Sequence, residues 1–460
     1  NPNFAEAYNN LANVFIKQVQ HSKSGKSCQK PKNSLHLHTN KERIQSSTHE
    51  QSTSFEKLAA INKDILVVYA NANSLFDPTN GASKSIKLLL ESLAYNGCAV
   101  HAIMGCTSDS KNGFKTNQEI WLSQSKNATK EQKAKEFTSN KVNYFLVATE
   151  HWSRQYLAAD EQEAIYRLST KIFEEEGNRY ARKILIGWGN LLLEESIFRA
   201  ARRNGFETIF YLANPTYKGR NVETLKISTK IITDSLATKA LYSEENLPEI
   251  HALPKCVEKP NAVRTASQLW NDQTIIFVNP KLQKGLEALL IIAEELYKIR
   301  PKLIIRIVDS TNRLESELRL INKTTDQLPK NICLTGSYPD TDKLLESGSI
   351  VLLLSLWHES GSRLIHESHL RGIPVIAFQT GGTSELIGIK SLDTFQKPAT
   401  TRINGHLRIQ TWDPIPMLER INELMSSIKK YEEHSEFLLR RSGELLANNA
   451  QAAKAMIDII

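Results

Sequence analysis

The sequence predicts an α/β protein with two Rossmann-like domains, each a doubly wound parallel sheet. Two observations support this prediction. Short, wholly apolar runs recur along the chain and alternate with segments whose apolar residues have helical spacing, which is typical of alternating strands and helices. In the clearest example, residues 350–378, an apolar run, a small polar turn, a helix and a second apolar run follow one another. Gly372-Ile373-Pro374 stops that helix before the second run begins.

The first half of the chain contains one set of such elements. Gly97 follows the amphipathic segment Ser83–Asn96 and is expected to end that helix. A second helix is predicted over Leu191–Asn204, whereas the polar segment 111–141 is predicted to be an irregular excursion. Strands are predicted at Ile65–Ala70, Ala99–Ile103, Val142–Ala148, Lys183–Gly187, Glu207–Leu212 and Lys230–Thr233.

The second half repeats the pattern. A helix is expected after Lys284-Gly285, and the chain is predicted to be helical from Pro414 onward. Asp340-Thr341-Asp342 precedes a helical segment and is interpreted as a helix N-terminus rather than a metal-binding D-x-D motif. Strands are predicted at Thr274–Val278, Leu303–Val308, Ile332–Thr335, Ile350–Leu354 and Val375–Phe378.

The start of the chain differs from the rest. Residues 1–18 resemble the first helix of a tetratricopeptide repeat, with Pro2, Tyr8 and Leu11 among the matching positions, and are interpreted as a repeat remnant. Residues 19–60 are rich in Ser, Lys, His, Gln and Asn and are predicted to be a disordered linker. The remaining predicted units are an N-terminal domain at 61–255, a C-terminal domain at 256–430 and a C-terminal helix at 431–460.

Composition narrows the class of protein. The 460 residues have a formal net charge of +8, which suits a nucleotide sugar, a lipid phosphate or a membrane surface, and equally a basic protein without an anionic partner. No basic and aromatic motif supports nucleic-acid binding. Five cysteines without C-x-x-C spacing indicate a reduced, cytoplasmic protein, and the apolar runs are too short for a transmembrane helix. Peripheral attachment to a membrane is left open.

The turn Glu359-Ser360-Gly361-Ser362 lies between a predicted strand and a predicted helix. Free backbone N–H groups and the helix dipole favour an anion there, and the small residues leave room for a phosphate. Glu367 lies about 12 Å at most along the helix from Glu359. Two carboxylates on either side of a diphosphate suit the hydroxyl groups of a nucleotide sugar. The alternative is that both glutamates are solvated charges on a helix face.

The same stretch resembles the retaining glycosyltransferases of family 4, which have the GT-B fold. Their signature is two glutamates separated by seven residues, then a helix, Gly-x-Pro-Val and a Gly-Gly-x-x-Glu loop. The matching residues here are Glu359 and Glu367, Gly372-Ile373-Pro374-Val375 and Gly381-Gly382-Thr383-Ser384-Glu385. The resemblance covers about 61–460. It implies two domains facing each other across a cleft, with the C-terminal helix crossing back over both.

The resemblance also implies an activity and a site. The enzyme would be a metal-independent transferase of the hexosyltransferase type, moving a sugar from a nucleoside-diphosphate sugar to an acceptor hydroxyl with retention of configuration. Residues 61–255 would bind the acceptor and residues 256–430 the donor. Glu359 and Lys284 would be the catalytic residues, with neither a cofactor nor a metal. The implied donor-binding residues are Gly81, Lys284, Glu359, Ser360, Gly361, Ser362, Arg363 and Glu367.

Three positions depart from the family pattern. Asn80 replaces the first glycine of a Gly-Gly pair, Ala213 replaces a histidine, and Asn279 replaces an arginine for which Lys281 is a candidate substitute. These departures leave open a catalytically weak nucleotide-sugar-binding module attached to a repeat scaffold. A sugar-nucleotide epimerase of the same fold is a further alternative. The expected partner is a nucleotide sugar, while a glycan, lipid or protein acceptor and a protein partner of upstream repeats all stay open.

Overall fold

The structure is a computed structural model that describes residues 62–124, 133–338, 340–388 and 391–459. The predicted repeat helix at 1–18 and the predicted linker at 19–60 both lie outside these residues, so both stay predictions. Within the described ranges the chain forms two parallel α/β domains, each with its own hydrophobic core. The predicted fold class is confirmed.

The first domain is built on one large sheet. Its strands are β1 (Ile65–Asn73), β2 (Ala99–Thr107), β3 (Ala134–Ser139), β4 (Val142–Val147), β5 (Arg182–Gly187), β6 (Glu207–Leu212), β7 (Lys230–Thr233) and β8 (Ile250–Ala252). Their order in the described sheet is β3-β4-β2-β1-β5-β6-β7-β8, and only the β3–β4 pair is antiparallel. Every residue of β1 is buried, as expected for a central strand with helices on both faces.

The first domain has six α-helices in its described residues, and one of them lies where the sequence analysis predicted an irregular segment. They are α1 (Gly81–Tyr95), α2 (Lys111–Ser123), α3 (Ala159–Glu175), α4 (Leu192–Arg203), α5 (Glu223–Ile227) and α6 (Leu236–Leu241). The irregular excursion predicted at 111–141 is wrong, because its described residues form α2 and the edge strand β3. An edge strand exposes much of its length, so its sequence lacks the apolar run of a central strand. Gly97 has a φ of +98° directly after α1, which confirms the predicted helix end.

The second domain has a wholly parallel sheet in its described residues. Its strands are β9 (Thr274–Val278), β10 (Ile304–Val308), β11 (Ile332–Thr335), β12 (Ile350–Leu353), β13 (Val375–Phe378) and β14 (Thr394–Phe395). They lie in the order β11-β10-β9-β12-β13-β14. The helices are α7 (Ala266–Asn271), α8 (Leu286–Ile299), α9 (Leu314–Arg319), α10 (Thr341–Leu345), α11 (Arg363–His369) and α12 (Thr383–Ile387). Asp340 caps α10 by accepting from the Lys343 N–H at 2.8 Å, which confirms the predicted helix N-terminus.

A hairpin that the sequence analysis did not predict follows this sheet. Strands β15 (Ala399–Ile403) and β16 (His406–Thr411) pair antiparallel around Asn404-Gly405. Both turn residues have positive φ, +49° and +82°, as the tight turns of hairpins require. The Arg408 Nε donates to Glu287 at 2.8 Å, which fixes the hairpin to α8.

The chain ends in two helices, α13 (Ile415–Ser426) and the long α14 (Ile428–Ile459). Near its start, Tyr431 is buried in the core of the second domain and donates from Oη to the Ser349 carbonyl at 2.6 Å. Near its end, Ala452, Ala453 and Met456 are buried in the core of the first domain. The predicted crossing of the last helix over both domains is therefore confirmed. Among the described residues, every helix is either too short or too polar to span a bilayer.

Both sheets reverse their strand order at an internal point. In the first sheet the reversal lies between β1 and β5, and in the second between β9 and β12. In open α/β sheets, ligands bind outside the carboxyl ends of the strands at such a reversal. The loops after β1, β9 and β12 are placed there, and these loops together with the starts of the helices that follow them contain the predicted site residues.

Candidate active site

A cleft of about 650 Å³ lies between the two domains. This volume is within the usual range of about 300–1,000 Å³ for small-molecule sites. The loop after β1 and the start of α1 form one wall, and the loops after β9 and β12 form the other. Among the predicted donor-binding residues, the cleft lining includes Gly81 on the first wall, and Lys284, Glu359, Gly361, Ser362, Arg363 and Glu367 on the second.

Ser360 is the predicted residue that does not line the cleft. Its side chain is buried, and its Oγ is without a hydrogen-bond partner among the described residues. The Gly-Gly loop packs on its backbone, since a Cβ at Gly382 would lie 2.6 Å from the Ser360 carbonyl oxygen. Ser360 therefore belongs to the packing beneath the cleft wall.

Glu359 lies in the loop between β12 and α11 and is only 9% exposed. Lys284 Nζ and Ser355 Oγ donate to its Oε1, and Trp357 Nε1 donates to the same oxygen at 2.9 Å. Lys284 Nζ also lies 4.7 Å from the centre of the Trp357 ring. Burial raises the pKa of Glu359, but the Lys284 ammonium and these hydrogen bonds lower it by more than burial raises it. The pKa of Glu359 is therefore below its ordinary value.

Glu367 lies on α11 and is 7% exposed. Arg363, one helical turn earlier, donates to its Oε1 at 2.9 Å, and Lys84 Nζ of the first domain lies 3.4 Å from the same atom. Burial raises the pKa of Glu367, but these two cations lower it further, so the pKa again falls below the ordinary value. Both predicted glutamates are thus ionised at neutral pH.

Glycines let the loops of the second wall pack closely around Glu359. Gly381 has a φ of +54°, and a Cβ there would lie 2.1 Å from the Glu359 carbonyl oxygen. The next N–H, of Gly382, donates to that oxygen at 2.7 Å. Gly285 has a φ of +90°, and a Cβ there would lie 2.1 Å from the Leu354 carbonyl oxygen. The backbone around Glu359 and Lys284 is therefore fixed by contacts that only glycine permits.

Contacts between the domains surround the cleft. Lys255 Nζ lies 2.9 Å from Asp234 of the first domain and also donates to the Gly361 carbonyl. Glu385, the last residue of the Gly-Gly-x-x-Glu loop, accepts from the Leu236 and Ala237 N–H groups at 2.9 and 3.1 Å. These N–H groups are the free donors of the first turn of α6. The loop of the second domain thus caps a helix of the first.

Asn279, which stands where the resembled family has an arginine, has an unusual backbone conformation in the cleft. Asn279 lines the cleft with a φ of +64°, a conformation that Asn adopts more readily than most residues, and its buried Oδ1 has no partner among the described residues. Burial, together with nearby Arg313 and Lys284, lowers the pKa of Lys281. Positive charge is therefore concentrated at this end of the second domain even without an arginine at Asn279.

Sequence reasoning missed three residues of the site. Lys84 and Lys255 act across the domain boundary, and nothing in their local sequence indicates a partner so distant along the chain. Trp357 stands two residues before Glu359, and an indole beside a candidate catalytic carboxylate is a signal that could have drawn attention to it.

The solved structures similar to this chain include GT-B glycosyltransferases, so this chain has the GT-B fold. HepE of Anabaena in complex with UDP-glucose has a TM-score of 0.58 and 13% identity over 85% of this chain and 99% of HepE. The E. coli trehalose-6-phosphate structure bound with UDP-2-fluoro glucose has a TM-score of 0.53 and 12% identity, covering 86% and 98% of the two chains. A glycosyltransferase from Rickettsia africae ESF-5 has a TM-score of 0.52 and 14% identity over 86% and 98%.

The sequence also matches a family over part of its length. Residues 266–436 match the family Glycosyl transferases group 1. This range runs from α7 to the first turns of α14, so the second domain is a Glycosyl transferases group 1 domain. No curated protein matches the chain in sequence.

Proposed function

We propose that the chain is a retaining glycosyltransferase that moves a hexosyl group from a nucleoside-diphosphate sugar to an acceptor hydroxyl. In this reaction the bond between the anomeric carbon and the diphosphate oxygen breaks. A bond from the same face of the anomeric carbon to the acceptor oxygen forms. The acceptor proton goes to the departing phosphate, so no separate general base is needed. Neither a metal nor a cofactor is proposed.

The arrangement of the two glutamates is the observation that supports this proposal most directly. Every side-chain contact that the structure records for Glu359 and Glu367 within the described residues reaches Oε1. A carboxylate has about four acceptor sites, so Oε2 of each keeps its capacity for hydroxyl donors. Two anchored, ionised carboxylates in one cleft suit a ligand with two groups of hydroxyls. We assign the sugar hydroxyls to Glu359 and the ribose hydroxyls to Glu367.

We assign to Lys284 the stabilisation of the leaving group. Its ammonium lies beside Glu359 in the cleft and has further N–H donors to offer to a phosphate. Negative charge on the diphosphate grows as its bond to the sugar breaks, and a fixed cation stabilises that charge most in the transition state. The complexes of HepE with UDP-glucose and of the E. coli structure with UDP-2-fluoro glucose support a nucleotide sugar as the donor of this chain too.

A donor panel tests the proposal. We would measure thermal shift with UDP-, GDP-, ADP- and TDP-linked hexoses, because a ligand that binds the native state raises its melting temperature. The donor that binds would then be assayed for hydrolysis and, with acceptor candidates, for transfer, with the product anomer read by NMR. Transfer with retained configuration, unchanged by a chelator, is expected. Binding without turnover would favour the non-catalytic sugar-nucleotide module, and no binding at all would overturn the proposal.

We expect Glu367→Ala to weaken donor binding by about ten- to a hundredfold, the cost of lost hydrogen bonds to a charged group. Turnover at saturating donor should change little, because ribose contacts are alike in the ground and transition states. Calorimetry and steady-state kinetics would separate the two effects. Glu423→Ala is a suitable control, since Glu423 on α13 pairs only with Arg420 and Lys430 in the described structure. A large fall in turnover with unchanged affinity would contradict the ribose assignment.

A further inference from the structure

Lys84 reaches from the first domain into the second. Its Nζ lies 2.9 Å from Glu258 on the segment between the domains and donates to Thr341 Oγ1 of α10 at 3.0 Å. It lies 3.4 Å from Glu367 on α11. The Lys84 side chain is 25% exposed, so this ammonium is largely enclosed by its partners. One side chain of α1 therefore contacts three segments outside its own domain.

The start of α1 fixes the backbone position of Lys84. Asn80 caps α1 by accepting from the Ala82 and Ser83 N–H groups at 2.9 and 3.0 Å, which sets the direction of the helix. The same turn of α1 faces α11, because a Cβ at Gly81 would lie 3.9 Å from Arg363 Cδ. Lys84 is thus held above Glu367 by the geometry of the helix start and not only by its own ion pairs.

The charges around Lys84 are balanced, so its removal would affect Glu367. Glu258 and Glu367 face Lys84 and Arg363, two carboxylates against two cations. Glu258 is half exposed and can be solvated, whereas Glu367 is almost buried. Removing Lys84 would leave Glu367 with Arg363 as its remaining cation and would free the carboxylate on the side facing the first domain.

We propose that Lys84 is a positioning residue for the donor, holding the Glu367 carboxylate in place for the donor hydroxyls and coupling donor binding to closure of the cleft. This inference rests on the proposed function. Because Lys84 joins the two domains through the group that holds the donor, closure stabilises the bound donor. By reciprocity, the donor stabilises closure to the same extent.

The test compares Lys84→Met with Lys298→Met. Lys298 lies on α8, is not among the residues that line the cleft, and pairs at 2.6 Å with Glu295 of the same helix. We would measure the affinity for UDP-glucose, or for the member of the donor panel that wild type binds most tightly, by calorimetry. Small-angle X-ray scattering with and without that nucleotide sugar would report closure. Lys84→Arg tests rescue by charge, and Lys84→Gln replaces Lys84→Met if the latter fails to fold.

We expect Lys84→Met to weaken donor binding by about tenfold or more. It should also reduce the contraction of the protein on donor binding, while Lys84→Arg recovers most of both. Lys298→Met should stay within about twofold of wild type, as for an ordinary surface ion pair. Unchanged affinity and contraction in Lys84→Met, or an equal loss in Lys298→Met, would overturn the inference and leave the proposed function intact. If wild type binds no nucleotide sugar, the proposed function fails, and this inference fails with it.

Discussion

Replacing Lys284 by alanine is expected to lower turnover at saturating donor by about a hundredfold or more, by analogy with the loss of an oxyanion donor. Lys284 lies next to Gly285, whose contact with the Leu354 carbonyl fixes the backbone, so the structure holds this ammonium in the cleft. The effect should appear in the chemical step, because the charge on the departing diphosphate is largest in the transition state. Steady-state kinetics over a range of donor concentrations would measure it.

A second effect of the same substitution needs its own control. Lys284→Ala also leaves the buried Glu359 carboxylate without its cation, and removing one partner of a buried pair typically costs about 3–5 kcal/mol of stability. The double variant Lys284→Ala with Glu359→Gln should recover the melting temperature without recovering turnover. If Lys284→Ala raised only the Michaelis constant, another cation such as Lys281 would be stabilising the diphosphate.

Gly381→Ala is expected to destabilise the second domain by about 2–5 kcal/mol, the sum of a left-handed backbone and an overpacked contact. The new Cβ would lie 2.1 Å from the Glu359 carbonyl oxygen, so the backbone that carries Glu359 must move. A displacement of about 1 Å at a catalytic group can cost about a hundredfold in rate. We therefore expect a lower melting temperature and a loss of turnover together.

Gly405→Ala is the matched control for this prediction. Gly405 has a φ of +82° in the β15–β16 turn, and nothing lies within 4 Å of the position a Cβ would take. Its cost should be limited to the backbone term of about 1–2 kcal/mol, with turnover unchanged. Differential scanning calorimetry and the transfer assay would compare the two variants. Equal effects of both substitutions would show that the contact of Gly381 with Glu359 is unimportant.

Much of the fold follows from local sequence pattern. Strands such as Thr274–Val278 and Val375–Phe378 have the predicted bounds. A parallel strand that is buried on both faces is a continuous apolar run, and such a run can be recognised in the sequence alone. The edge strand β3 and the β15–β16 hairpin were not predicted. One residue of β3 and none of β15 or β16 is buried, so burial leaves little apolar signal in their sequences. Pairing with a neighbour, and not residue type, is what makes these segments strands.

Part of the candidate site could likewise be predicted from the sequence and part could not. The turn at Glu359, the second carboxylate at Glu367 and the Gly-Gly loop could be predicted from the sequence, because their spacing along one segment is a local property. The contacts that these groups make with the other domain are visible only in the folded protein. Lys84 and its partner Thr341 are 257 positions apart, and Glu385 caps a helix about 150 positions earlier in the chain. Such contacts depend on how the two domains pack against each other, and the apolar pattern within each domain does not specify that packing.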